Sequence, residues 1–347
     1  MIGVLALVAA LGPWIRPDHS THANTQQLSI SKQKPGFEVL VVKVMKDDYQ
    51  APSFWEKLSH YGWPTNYKEI PISTYSFENN QLTIDEYTPF VLPDGERVSQ
   101  TIPLSQLGDG TATTLAEIER ESIYTKKFIL GTDLYGRDLL SRLMGGAIIS
   151  LAVGLIAVLI SLLVGITLGA LAGYYRGWVD QVIMWLINVV WSIPTLLLVM
   201  AIVFAFGKGF EKVFIAVGLT MWVEVARVVR GQVLGVREKE YVEAGRALGY
   251  SQLRIIFRHI LPNVMNPVIV ISAANFAAAI LIEAGLSFLG IGAKIPTPSW
   301  GNMIKEHYAF ITTDLAYLAI LPGVMIMLMV LSFILVGNGL RDAFDTR

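Results

Sequence analysis

The sequence of 347 residues contains no cysteine. This absence excludes disulfide bonds, thiolate metal sites and cysteine nucleophiles. Charged side chains are also scarce, at 16% of residues, where soluble domains average about 25%. The net charge of −1 gives no electrostatic reason to expect a nucleic-acid partner. Catalytic signatures such as G-x-x-x-x-G-K-[ST], H-E-x-x-H and G-x-S-x-G are missing, so no catalytic residues are assigned.

Long uncharged runs account for this scarcity of charge and predict a polytopic membrane protein. A bilayer core about 30 Å thick requires about 20 helical residues. Four runs meet this length, at 143–175, 181–207, 264–282 and 315–340. We expect each of them to cross the membrane.

Two further spans are predicted from weaker signals. The apolar run 213–223 continues into charged residues, and we interpret 213–234 as a helix with a charged inner end, where Glu224 and Arg227 can pair at i, i+3. Residues 1–17 are interpreted as a first transmembrane helix with a truncated start; a cleaved signal peptide is the alternative. The sequence therefore predicts six transmembrane helices.

The distribution of positive charge predicts the orientation. With six spans both termini are cytoplasmic if residues 18–142 lie outside. The proposed inner loops hold ten lysines and arginines, and the short outer loops hold four. This excess agrees with the positive-inside rule.

Small and polar residues within the spans predict a packed bundle. Gly165, Gly169 and Gly173 recur every four residues, which is typical of close helix packing. Polar groups at membrane depth should face protein or water rather than lipid. Three such residues are Asn188, Asn275 and Glu283. They could form hydrogen bonds between helices or line a solute path. Glu283 could also simply reach the outer interface.

A charged stretch at 240–263 separates two of the apolar runs. Residues 238–248 are predicted to form a short helix, and Gly249 can end it in the left-handed conformation. Ser251 is placed to cap a second, amphipathic helix over 251–261 that Pro262 ends. Its apolar face is expected to consist of Leu253, Ile256, Phe257, Ile260 and Leu261.

These two short helices would form an elbow on the cytoplasmic face. The first offers Glu243 beside two small residues, Ala244 and Gly245, which let another backbone approach closely. The alternative, a helix lying on lipid, suits 251–261 but not the small, acidic first helix. Docking of a cytoplasmic protein is therefore the favoured interpretation.

This stretch resembles the EAA loop of permeases of binding-protein-dependent ABC importers. The pattern appears as Glu243-Ala244-Gly245, Gly249 and Leu261-Pro262, with glycine in place of the second alanine. Five other blocks on either side of this stretch resemble the C-type subunit of the dipeptide, oligopeptide and nickel subfamily. They are "LGTDLYGRDLLSRL" at 130–143, "LAGYYRGWVDQ" at 171–181, "EAGLSFLGIG" at 283–292, "PTPSWGNMI" at 296–304 and "GNGLRDAFDTR" at 337–347.

The resemblance implies a type I ABC importer permease fold without its own ATPase. It implies a second, B-type permease subunit, two cytoplasmic ATP-binding subunits that hold ATP and magnesium, and an extracytoplasmic solute-binding protein. The resemblance implies that Glu243, Ala244, Gly245 and Gly249 couple the permease to the ATPase. Arg246 and Pro262 would support them. The solute would be a di- or oligopeptide or a related compound. A self-contained channel or secondary transporter is the alternative.

A turn before the second span and a long polar segment lie outside the coupling loop. The turn that holds Gly131, Asp133, Gly136, Arg137 and Asp138 is interpreted as structural and held by salt bridges. Residues 18–129 are predicted to form an extracytoplasmic insertion containing β-strands and a turn at "LPDGE" (92–96). It could touch the delivering protein, steer the solute or brace the complex. The transmembrane domain then covers 130–347, with the coupling loop at 237–263. No metal site is expected from His19, His22 and His60.

Overall fold

The structure is a computed structural model. It describes residues 2–47, 49, 62, 65–78, 80–88, 98–107, 114–207, 210–292 and 296–344. The predicted turn at 92–96 and His60 lie outside the described residues. Within them, an antiparallel sheet stands at one end of a bundle of long helices.

Five strands within the predicted insertion form one antiparallel sheet. In order across the sheet these are β4 (Ser99–Pro103), β3 (Gln81–Glu86), β2 (Tyr67–Glu78), β1 (Phe37–Met45) and β5 (Ile123–Phe128). Alternating side chains of β1 are buried on opposite faces of the sheet. Val42 packs on one face with Ile72, and Val41 packs on the other with Phe128.

Ten helices occur in the described part of the chain. Helix α2 (Leu115–Ser122) belongs to the insertion and begins with a capping box between Thr114 and Glu117. The others are α1 (Ile2–Ile15), α3 (Leu139–Tyr175), α4 (Gly177–Trp191), α5 (Thr195–Phe206), α6 (Phe210–Val236), α7 (Glu240–Ala247), α8 (Gln252–Phe288), α9 (Trp300–His307) and α10 (Tyr317–Phe344).

Three of the described helices are long and apolar enough to cross a membrane, namely α3, α8 and α10. Helices α4 and α5 make a fourth span if the bent pair is counted as one. Helix α1 is shorter, and α6 carries three charged side chains in its second half. Six transmembrane helices therefore stay a prediction.

The predicted third span is broken, not continuous. Helices α4 and α5 meet at an angle of 94°. The break falls at Pro194, which has no N–H to continue the helical ladder and keeps the preceding residue away from helical geometry. The predicted span over 181–207 therefore counts as one span only if the bent pair is taken together.

The helix after the elbow does not end at Pro262, contrary to the prediction. A π-helical turn, Ile255–Ile260, leads directly into the rest of α8. The Leu261 N–H bonds to the Ile256 carbonyl, five residues back. In a regular helix the proline ring clashes with the carbonyl four residues earlier. We attribute the continuation of the helix through Pro262 to the wider π-helical turn.

The glycine repeat of α3 packs closely against α6, as predicted. A Cβ added at Gly165 would lie 2.6 Å from Cβ of Val225, and one at Gly169 would lie 2.4 Å from the Ala226 carbonyl oxygen. At Gly173 it would lie 2.8 Å from Cβ of Val233. The absence of side chains at these positions lets the two helix backbones touch.

The sheet and the elbow lie at opposite ends of α3. Its first turn follows directly on the turn at 131–138, while Tyr174 in its last turn contacts the elbow helices. With 37 residues, the helix is roughly 55 Å long. The insertion and the elbow therefore lie at opposite ends of a helix that is long and apolar enough to cross a membrane.

Candidate functional site

The elbow is closed by backbone hydrogen bonds around Gly249. Its φ of +75° is the left-handed conformation expected from the sequence. The Tyr250 N–H bonds to the Gly245 carbonyl at 3.1 Å, and the Gly249 N–H bonds to the Arg246 carbonyl at 3.0 Å. This pair of bonds is a Schellman motif, which ends α7 and turns the chain. The Ser251 side chain then caps α8 by accepting from the Arg254 N–H, as predicted.

The predicted coupling residues separate into exposed and buried positions. Glu243, Ala244, Arg246 and Gly249 are exposed. Gly245 is buried, and a Cβ there would lie 3.3 Å from the Tyr250 ring. The expectation that Gly245 offers a small surface to a partner is therefore wrong, because its size serves packing inside the elbow.

Pro262 and the apolar face also differ from the sequence interpretation. Pro262 lies in α8, beyond the π-turn, and not at a helix end. The structure buries Ile255, Ile256 and Ile260, whereas Leu253 is 60% exposed and Phe257 is 65% exposed. The π-turn holds more residues than the 3.6 per turn assumed for the face, so the buried stripe shifts.

An exposed apolar surface consequently accompanies the acidic helix. Leu253 and Phe257 are spaced i, i+4 on α8, and Leu248 at the end of α7 is 70% exposed. The Glu243 side chain has no hydrogen-bond or ion-pair partner within the described part of the chain. The elbow thus presents unpartnered apolar and acidic side chains together.

The inner side of the elbow is fastened to the bundle. Val242 and Ile255 pack against Val229 and Val233 of α6 in one core cluster. The Tyr174 hydroxyl bonds to the Gln252 side chain, and Arg246 lies over the Tyr174 ring at 5.6 Å. These contacts join the elbow to the ends of α3 and α6.

An ion pair missed by the sequence analysis ties α4 to α6. Arg230 Nε lies 2.5 Å from Asp180 Oδ1, and Arg230 Nη2 lies 2.7 Å from Oδ2. The two residues are 50 positions apart. Only their opposite charges could have suggested the pairing.

The three polar residues predicted at membrane depth have different surroundings. Asn188 is exposed and lies 3.5 Å from Arg227 Nη2. Asn275 is buried, and its side-chain nitrogen has no partner in the described structure. Glu283 is also buried and accepts hydrogen bonds from Ser287 at 2.6 Å and Ser299 at 2.8 Å. Glu283 therefore does not reach the interface through an exposed side chain.

A cavity of about 350 Å³ opens where α4 and α5 are broken apart. Trp191 and Thr195 line it from the two sides of the break, and Ala278, Leu281 and Ile282 line it from α8. Glu224 of α6 borders the same space. The predicted Glu224–Arg227 pair is absent from the described structure, since Arg227 lies over the Trp191 ring, 3.6 Å from its centroid.

The turn before α3 is held by buried salt bridges, as predicted. Arg137 Nε lies 2.6 Å from Asp133 Oδ2, and Arg137 Nη2 lies 2.7 Å from Glu306 Oε2. Gly131 and Gly136 take φ of +76° and +70°. Asp138 caps α3, accepting from the Ser141 N–H at 2.8 Å; burial raises the pKa of this carboxyl, although the Ser141 donors oppose the shift.

Possible metal ligands in this region already have protein partners. Asp133, Glu306 and His307 bring one ligand atom each within 4.8 Å of the others. Both carboxylates pair with Arg137, and the two His307 ring nitrogens contact the Met303 carbonyl at 2.7 Å and the Leu134 N–H at 3.4 Å. This arrangement favours a structural ion-pair cluster.

Comparisons with known proteins match part of the chain. Residues 165–347 match the model of the binding-protein-dependent transport system inner membrane component family. The chain is 42% identical over 217 residues to the dipeptide transport system permease protein DppC of Alkalihalophilus pseudofirmus, covering 62% of this chain and 71% of that protein. It is 41% identical over 218 residues to the glutathione transport system permease protein GsiD of Pectobacterium atrosepticum, covering 63% and 72%.

Among solved structures, a chain of the inward-facing MetNI methionine ABC transporter is similar at 18% identity, with a TM-score of 0.49. The alignment covers 58% of this chain and 95% of that chain.

Proposed function

Because the chain belongs to the family of inner membrane components of binding-protein-dependent transport systems, we propose that its elbow couples solute import to a separate ATPase. The chain forms half of the translocation path and pairs with a second, B-type permease subunit. Two cytoplasmic ATP-binding subunits hold ATP and magnesium, and an extracytoplasmic protein delivers the solute. The permease itself needs no cofactor.

The observation that carries this proposal is the unbroken link between the elbow and a membrane-length helix. The π-turn leads into the rest of α8 without a loop, and Gly249 joins α7 to it through two backbone hydrogen bonds. A force on α7 would therefore move α8 as a rigid body, with little loss in flexible chain.

The elbow surface also suits a protein partner. Glu243 and Ala244 are exposed on α7, and Leu248, Leu253 and Phe257 are exposed on the same elbow. Apolar side chains that remain exposed beside a polar rim are typical of protein interfaces. The outward face is thus available for docking while the inward face holds the bundle.

The opposite positions of sheet and elbow support the proposed orientation. The elbow lies at the end of α3 near Arg176 and Arg237, on the side where positive charge accumulates. Both termini and the elbow are then cytoplasmic, and residues 18–142 are extracytoplasmic in a bacterial inner membrane.

The names of the relatives support a solute class. Dipeptide and glutathione permeases are both small-peptide transporters by name. We propose a di- or oligopeptide, or a related solute, for this chain. The binding protein makes the first selection.

Two substitutions in the elbow test coupling. Glu243→Lys reverses the exposed charge, and Gly249→Pro forbids the φ of +75° while removing the N–H that bonds to Arg246. In reconstituted complexes we expect both variants to insert normally but to lose the ATPase stimulation caused by the solute-loaded binding protein. Glu211→Lys, at the other end of α6, is the matched control and should keep it.

Wild-type stimulation in both elbow variants would remove the coupling role. The cysteine-free chain adds a test of sidedness, since Ala244→Cys introduces a single thiol. An impermeant thiol reagent should label it only from the cytoplasmic side. Labelling from outside intact cells would contradict the proposed topology.

A further inference from the structure

The cavity at the broken span contains a carboxylate that the coupling mechanism does not use. Glu224 is exposed and borders this space, and its side chain has no hydrogen-bond or ion-pair partner among the described residues. The other walls include Leu198, Leu281 and Ile282, which belong to uncharged runs of the spans. The cavity is therefore a mostly apolar space that also holds Thr195, Thr220 and one carboxylate.

The nearest cation along the same helix stacks on a residue that lines the cavity, Trp191, and does not pair with Glu224. Arg227 lies one turn along α6, but its guanidinium stacks on Trp191 and reaches Asn188. A polar group among the mostly apolar walls of a cavity is the kind of group that orients a bound small molecule. Glu224 thus requires water or a cation from outside this chain.

The shape and chemistry of the cavity indicate which cation would fit. A volume of about 350 Å³ lies in the range of small-molecule sites. One carboxylate among apolar and aromatic walls matches a primary ammonium group next to an apolar body. Irregular backbone at membrane depth, as at Pro194, is tolerated where it lines a cavity.

We propose that Glu224 binds the ammonium group of the transported solute while the solute occupies the cavity between α4, α5, α6 and α8. This proposal deepens the importer function and rests on it for the identity of the solute, which would be a peptide with a free amino terminus. Trp191, Leu281 and Ile282 would contact its first side chain. Glu224 acts as a binding residue and takes no part in coupling.

A charge-sensitive labelling experiment tests the cavity without requiring transport. Thr195 is exposed and lines the cavity, so Thr195→Cys places one thiol in a chain that otherwise has none. The assembled complex is treated with a trimethylammonium or a sulfonate methanethiosulfonate reagent of similar size. Glu224→Gln should lower the cationic-to-anionic rate ratio roughly tenfold. Glu224→Asp and Glu211→Gln should leave it close to the parent value.

Protection by peptides then tests the ligand. A dipeptide should slow labelling of Thr195→Cys, and its N-acetylated form should not. Glu224→Gln should abolish this difference in protection.

An unchanged rate ratio in Glu224→Gln, or equal protection by both dipeptides, would overturn the proposal. Loss of the second permease subunit from the Glu224→Gln complex would also overturn it, because Glu224 would then pair with a cation of that subunit. If stimulation of the ATPase is absent even in the parent complex, the importer function fails, and the labelling ratio still reports on the cavity.

Discussion

At the residue scale, single glycines decide how closely two spans approach. Gly169 of α3 faces the backbone of α6, whereas Gly231 of α6 has open space where a Cβ would be. Both are helical and both lack a side chain, so they differ only in what surrounds them. The pair separates the effect of packing from that of helix propensity.

We expect Gly169→Ala to destabilise the bundle and Gly231→Ala not to do so. The added methyl at 169 would lie 2.4 Å from the Ala226 carbonyl oxygen, and overpacking of this kind costs about 1–3 kcal/mol. At 231 the methyl meets no atom within 4 Å, and alanine favours the helix by up to about 1 kcal/mol. Thermal unfolding in detergent should show a lower midpoint for the first variant alone; equal midpoints would refute the close approach of α3 and α6.

His307, in the ion-pair cluster before α3, should make the stability of the fold depend on pH. Burial lowers the pKa of its imidazole, Arg137 lowers it further, and the Met303 carbonyl and the acids Asp133 and Glu306 oppose the shift. The folded protein therefore holds the ring neutral at a pH where the unfolded chain would protonate it. Its stabilising contribution is complete above the unfolded pKa of about 6.5 and is lost as the pH falls toward the folded pKa.

We expect His307→Asn to flatten the loss of stability between pH 7.5 and about pH 5. The midpoint of thermal unfolding is measured across this range for the parent and the variant, and the difference in slope isolates this one group from other titrating carboxyls. His19→Asn, at an exposed histidine, is the control and should follow the parent curve. Parallel curves for the parent and His307→Asn would show that this imidazole does not titrate differently on unfolding.

At the element scale, features determined by local backbone chemistry were predictable. Gly249 and Ser251 end one helix and begin the next because of the conformation and hydrogen bonding available to those residue types. The i, i+4 glycines of α3 predicted a contact without naming its partner, α6. Buried salt bridges near 131–138 followed from opposite charges close in sequence.

Features that depend on distant parts of the chain were not predictable. Pro262 was expected to end its helix, yet a π-turn carries the helix through it. The same π-turn exposes Phe257, which periodicity had placed inside. The Arg230–Asp180 pair joins residues 50 positions apart, and no local sequence pattern predicts it. Tertiary packing decided each case.

At the scale of the whole molecule, the sheet is inserted with its two ends side by side. Phe37 at the start of β1 pairs with Phe128 at the end of β5, and the Gly36 N–H bonds to the Phe128 carbonyl at 3.0 Å. The chain before β1, residues 17–36, instead packs on the turn ahead of α3. Lys32 N–H bonds to the Asp133 carbonyl at 2.9 Å, and Gln27 N–H bonds to the Tyr135 carbonyl at 3.0 Å.

This connectivity predicts that residues 37–128 can be removed without unfolding the bundle. Joining Gly36 to Ile129 requires little movement, because the Gly36 N–H also bonds to the Ile129 carbonyl at 3.2 Å. The strap 17–36 would stay on the turn, although Ile30 and Gln27 would lose their contacts with the sheet. We expect the shortened chain to insert, to copurify with its ATPases and to melt at a somewhat lower temperature.

A deletion of 17–128 is the matched control, because it also removes the strap. It takes away the backbone partners of Asp133 and Tyr135 and uncovers the Gly136 turn, where a Cβ would lie 1.8 Å from the Gln27 carbonyl oxygen. Buried backbone groups left without partners are costly, so this longer deletion should aggregate or fail to assemble. If both deletions fail alike, the sheet itself holds the bundle together; if both assemble, the strap is dispensable and the turn before α3 is stable alone.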